Sequence, residues 1–90
     1  MSLSELRKKI DVIDREWILL IKCRLEVAKQ MAQIKKRDEI PILDREREKG
    51  VIERGLQLAQ ELKMDPQGVE ALFHQVLALT KQEMEREQEK

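Results

Sequence analysis

The stretch from Leu3 to Lys36 contains no Gly or Pro and repeats its apolar residues at the alternating four-three spacing of a helix that buries one seam. The seam reads Leu6, Ile10, Ile13, Trp17, Leu20, then Val27, Met31 and Ile34. Between Leu20 and Val27 the register passes through Arg24, where another aliphatic side chain is expected. A guanidinium at such a position calls for an anion or a wet cavity, because an unpaired buried charge is costly. Ser4 is the candidate N-cap, and Glu5 adds a favourable charge to the first turn. At 1.5 Å per residue such a helix spans about 50 Å, whereas a compact chain of this size has a radius of gyration of about 13 Å. The helix outruns its own globule, so its seam needs a second chain. The simplest expectation is an obligate homodimer with two-fold symmetry.

Composition narrows the partners. Ninety residues make one domain, 1–90, and 18 basic residues balance 18 acidic ones, which argues against a nucleic-acid or membrane surface. Charged residues are 40% of the chain and aromatic residues 2%, a balance that suits solvated helices around an aliphatic core. Cys23 is the sole cysteine, which excludes an intrachain disulfide and makes a cytoplasmic setting the default expectation. There is no leader-type segment and no apolar run of bilayer-spanning length. One His, one Cys and no ligand-spaced cluster predict neither a metal nor a cofactor. His74 has only ordinary helical neighbours, so no nucleophile–base pair is indicated.

Beyond Arg37 the pattern stops, and Pro41 disfavours helical geometry at Ile40, marking a short connection. Asp44 is a plausible N-cap for a second helix, roughly Arg45 to Lys63, whose stripe is Val51, Gly55, Leu58 and Leu62 with Ile52 and Ala59 beside it. Gly50 and Gly55 weaken that helix but allow close approach of another backbone. Asp65-Pro66 is a strong start signal for a third helix, running to about Arg86. Its stripe is Val69, Leu72, Phe73, Val76, Leu77, Thr80 and Met84, and the polar residues of about 85–90 are expected to fray. The fold class is therefore all-α, three helices with a disproportionately long first one.

Several polar residues sit on or beside buried faces. Arg24 and Lys35, three turns apart with Ala28 and Ala32 between them, either converge on a compact anion or lie as surface cations covering apolar area with their stems. Arg7 lies about 25 Å before Arg24 along a straight helix. It reads as a first-turn surface residue unless a crossing partner helix brings it to the other chain's Arg24. Arg47 and Glu48 adjoin the second stripe, and their spacing alone favours a solvated charge run with Arg45, Glu46 and Lys49. Thr80 can bond its own helix's carbonyl.

Taken together and in order, Leu6-Arg7-Lys8-Lys9-Ile10, Asp14, Arg24-Leu25-Glu26-Val27-Ala28, Lys35, Pro41-Ile42, Asp44, Arg47-Glu48 and Leu72-Phe73 resemble the all-helical chorismate mutases. The resemblance extends from Leu3 to about Met84. It implies an intertwined homodimer of three-helix chains, with each of two sites built from both protomers. It also implies an isomerase that rearranges chorismate to prephenate, toward phenylalanine and tyrosine. By the same resemblance, Arg24 and the partner's Arg7 bind the two carboxylates, and Lys35 donates to the ether oxygen of the breaking bond. Glu48 and the backbone at Asp44 hold the ring hydroxyl, Arg47 contacts ether and carboxylate oxygens, and Thr80 stands where the family often has a serine near a carboxylate. One turn later the family usually has Gln or Glu donating to the ether oxygen, whereas this chain has Met84, whose thioether donates no hydrogen bond.

A concerted pericyclic shift needs no nucleophile, metal or obligatory proton transfer. It needs a folded dicarboxylate conformer and stabilisation of negative charge growing on the ether oxygen, and preorganised cations provide both. Two other readings share these features. One is an isochorismate-pyruvate lyase on the same fold, and the other is a non-catalytic helical dimer serving as an interaction or regulatory module.

Overall fold

The computed structural model describes residues 1–90. Its three helices are α1 (Leu3–Arg37), α2 (Arg45–Glu61) and α3 (Pro66–Gln88). Helix α1 is capped two residues earlier than expected: the Ser2 hydroxyl, not that of Ser4, accepts from the Glu5 N–H at 3.1 Å. Asp44 and Asp65 cap α2 and α3 as expected, accepting from the N–H groups of Arg47 at 3.0 Å and Gly68 at 3.2 Å.

Helices α1 and α2 both end in a left-handed residue that is not glycine. Glu39 and Lys63 each have φ of 57°. The Ile40 N–H returns to the Lys35 carbonyl at 2.8 Å, and the Met64 N–H returns to the Ala59 carbonyl at 2.8 Å. This is the closure that usually recruits glycine. Neither end carries that glycine, and it is the left-handed turn at Lys63 that stops α2 at Glu61 where the sequence suggests Lys63.

Helix α3 packs against both α1 and α2, which do not pack on each other. Ala28 and Ala32 of α1 meet Met84 of α3, with Ile42 against them. On α2 the buried row is Val51, Gly55 and Ala59. A Cβ at Gly55 would lie 2.7 Å from the Phe73 ring, so this glycine admits an aromatic side chain rather than a backbone. Because α2 turns its small residues toward α3, Leu58 and Leu62 are exposed instead of buried. Leu72 on α3 is exposed too.

Only 6 of 90 residues are buried, so one protomer leaves most of its apolar surface uncovered. The N-terminal half of α1 accounts for much of it, with Leu6, Ile10, Ile13, Trp17 and Leu20 all exposed. The molecule is 55 Å long, and its radius of gyration is 16.2 Å, against about 13 Å for a compact chain of this size.

The polar end of α3 continues two residues past Arg86 and is hydrogen-bonded to α1. Gln88 donates to the Ala32 carbonyl at 3.0 Å, Lys36 donates to the Gln88 carbonyl at 2.8 Å, and Gln33 donates to Glu87 at 3.1 Å. The bond from Gln33, then that from Lys90, holds the Glu87 carboxyl below its usual range.

Two substitutions separate packing from backbone conformation. Gly55→Ala should lower stability by about 1–3 kcal/mol because Phe73 must move, outweighing alanine's better helix propensity. Lys63→Gly should raise stability by roughly 0.5–1 kcal/mol by removing the left-handed penalty. Urea unfolding midpoints measure both.

Candidate active site

The C-terminal half of α1, the connection after it, the first turns of α2 and the second half of α3 enclose a cleft of about 200 Å³. Arg24, Lys35, Asp44, Arg47, Glu48, Thr80 and Met84 all line it. These residues run from Arg24 to Met84, and α3 brings them together by packing on both other helices. Ala28 lies in the floor and Ala32 is buried against Met84, leaving room above the helix backbone between Arg24 and Lys35.

Arg24 and Lys35 are each held by a neutral group. Arg24 donates from Nη1 to the Thr80 hydroxyl, which itself donates to the Val76 carbonyl at 2.7 Å. Lys35 donates from Nζ to the Ile42 carbonyl at 2.9 Å, leaving ammonium hydrogens for another acceptor. The seven ion pairs of the chain include none of Arg24, Lys35, Arg47 or Glu48. Burial first, and the nearby Arg47 second, push the Arg24 pKa below arginine's ordinary value. The cleft thus holds Arg24, Lys35, Arg47 and Lys81 against the carboxylates of Asp44 and Glu48, a positive excess in which Arg24, Lys35 and Arg47 are in no ion pair, which suits a compact anion with several oxygens.

One end of the cleft differs in character. Asp44 uses its side chain to cap α2 and its carbonyl to accept from the Glu48 N–H at 3.0 Å, while its own N–H donates to no group of the chain. That free N–H and the unpaired Glu48 carboxylate offer a donor and an acceptor for a hydroxyl. Met84 is 5% exposed and presents a thioether where a donor would face the cleft.

Arg7 is not part of this arrangement within a single protomer. It is exposed on the projecting half of α1, about 25 Å upstream of Arg24. Conversely, Leu43 and Lys81 line the cleft without having been singled out in the sequence. The segment around Pro41 reads as a mere connection, and Lys81 sits in an ordinary charged run ending α3. Nothing local distinguishes either one.

The chain matches the chorismate mutase type II family over residues 6–85. It is 41% identical to the chorismate mutase of Methanocaldococcus jannaschii, an alignment covering 99% of this chain and 94% of that protein. It is also 40% identical to the bifunctional chorismate mutase/prephenate dehydratase of Aquifex aeolicus over 81% of this chain, which spans 20% of that longer protein.

Proposed function

The chain belongs to the chorismate mutase type II family, and we propose that it isomerises chorismate to prephenate in a cleft completed by the second protomer of a homodimer. The observation that carries this reading is the convergence of Arg24, Lys35 and Arg47 on one cleft with no carboxylate paired to any of them. The reaction breaks one C–O bond and forms one C–C bond within a single dianionic molecule. Its catalyst has to restrain a folded conformer and meet the charge that builds on the ether oxygen.

Arg24 takes one carboxylate, and the partner's Arg7 takes the other. Lys35, steered by the Ile42 carbonyl, donates to the ether oxygen, and Arg47 adds positive potential beside it. Glu48 accepts from the ring hydroxyl while the Asp44 N–H donates to it. Met84 closes the floor without donating, so Lys35 and Arg47 carry the ether oxygen by themselves. The dimer is supported by the row of exposed apolar residues along the first half of α1, the kind of uncovered apolar face that marks an interaction surface. A crossing of two such helices would bring Arg7 to the partner's cleft. The product leads toward phenylalanine and tyrosine, and a cytoplasmic setting fits the single exposed thiol of Cys23.

Purified protein should convert chorismate to prephenate, and an inactive wild-type protein would overturn the assignment. Lys35→Ala should lower kcat by about 10²–10³-fold with an unfolding midpoint close to wild type.

Arg7→Ala and Arg24→Ala proteins should each be nearly inactive. Unfolded and refolded together, they should recover about a quarter of wild-type activity per protomer, because a mixed dimer holds one intact site. No recovery would place Arg7 outside the partner's site.

Met84→Gln should raise kcat by about tenfold by supplying the missing donor. An unchanged or lower rate would mean that the cleft positions the ether oxygen elsewhere.

A further inference from the structure

We propose that Lys81 is a rim cation that captures the dianionic substrate by its charge and takes no part in the rearrangement. The inference deepens the chorismate mutase reading and rests on it for the identity of the anion.

Helix α3 sorts its charges by sign. Leu77, Thr80, Lys81 and Met84, at the spacing of one helix face, are what it contributes to the cleft. The polar run beyond Thr80 is rich in acids, yet none of Glu83, Glu85, Glu87 and Glu89 lines the cleft. Glu83 pairs with Lys29 and Arg86, and Glu87 pairs with Lys90 and accepts from Gln33. One cation faces the site while the acids are kept off it.

Depth separates the cations of the cleft. Arg24 and Lys35 are half-buried and each is bonded to a neutral oxygen, whereas Arg47 on α2 and Lys81 on α3 are exposed. Leu77 and Met84 are the apolar residues on either side of Lys81 on its face, and a lysine in such a place covers apolar surface with its stem and keeps its ammonium in water. The whole chain is formally neutral, so no net charge draws an anion from a distance. At physiological salt, exposed charges act over about 8 Å. An approaching dianion therefore responds to the local excess at the mouth, and Arg47 and Lys81 act on it before the deeper Arg24 and Lys35.

A purely structural role accounts poorly for Lys81. Its ion pair joins Nζ to Glu85 at 4.0 Å, the outer limit for such a pair, between two side chains that are each about half exposed. Lysine precedes glutamate along the helix, which is the less favourable order for residues four apart. Nor does Lys81 lie in the last turn of α3, where a cation gains from the helix dipole and where Arg86 stands instead.

The test compares kcat and KM for chorismate in Lys81→Gln, Lys81→Arg and Glu85→Gln proteins at low and high salt. In roughly 20 mM KCl, Lys81→Gln should raise KM about fivefold with kcat within about twofold of wild type, and Lys81→Arg should restore wild-type KM. In roughly 500 mM KCl the difference in KM should shrink below about twofold, because the field is screened. Glu85→Gln should leave KM unchanged or lower it, since Lys81 keeps its charge and loses a competing anion. A kcat loss in Lys81→Gln, a KM rise that persists at high salt, or the same rise in Glu85→Gln would each overturn the proposal. So would a Lys81→Gln protein with wild-type KM at low salt.

Binding of an unreactive dianion supplies a readout independent of turnover. Calorimetric titration with cis-cyclohexanedicarboxylate in roughly 20 mM KCl should give a Kd about fivefold weaker for Lys81→Gln than for wild type, with the gap again closing at high salt. Equal affinities at low salt, or no binding by wild type, would overturn the proposal. Should chorismate not be turned over at all, this comparison still decides whether Lys81 captures dianions at the cleft, so the two readings fail separately.

Discussion

An arginine placed in an apolar seam, with no carboxylate to pair with it, is the constraint around which the molecule is arranged. Arg24 interrupts the one face of α1 that must pack, and partial burial together with Arg47 already works against its charge. Pairing it with Asp or Glu would relieve the local cost and fill the cleft with an internal ion pair. Instead the guanidinium bonds to a hydroxyl, and the nearby ammonium of Lys35 bonds to a backbone carbonyl. Neutral partners satisfy individual N–H groups and leave the field in place. The stability forgone is the kind that a preorganised electrostatic site gives up so that charge developing in a transition state meets dipoles and cations already oriented.

Small residues make room for that arrangement. Ala28 and Ala32 let Met84 come down onto α1, and Gly55 lets the Phe73 ring lie against α2. These contacts draw the two outer helices onto α3 and set the width of the cleft between them. The last turn of α3 adds a polar clasp, with Gln88 on the Ala32 carbonyl and Glu87 on Gln33. Met84 sits one turn before this clasp, so polar contacts at the surface and apolar contacts at the floor hold the same segment of α3.

The length of α1 ties assembly to chemistry in the proposed dimer. A helix that ended near its own globule would expose no seam and deliver no Arg7. One that extends about 50 Å with its apolar residues outward does both, since the surface that needs covering and the cation that needs delivering lie on the same projecting half. Burial of the seam and completion of the carboxylate site would then be a single event.

What was legible in the sequence follows from local physics. The three helices, the caps at Asp44 and Asp65 and the break near Pro41 are encoded by residue spacing, capping side chains and proline geometry within a few residues. The oddity of Arg24 and the equipment of Lys35, Asp44, Arg47, Glu48, Thr80 and Met84 were legible as an ordered set that resembles one family. By periodicity alone Arg47 and Glu48 were a solvated run, and local spacing does not say otherwise. The left-handed ends at Glu39 and Lys63 escaped because they lack the glycine that marks such turns. The tertiary structure alone decided which face of α2 turns inward, exposing Leu58 and burying Ala59. It alone brought Leu43 and Lys81 to the cleft, fastened the polar end of α3 and directed the Thr80 proton to Val76. Those outcomes depend on how α3 sits between α1 and α2, a relation among residues up to 56 positions apart that no local window of sequence contains.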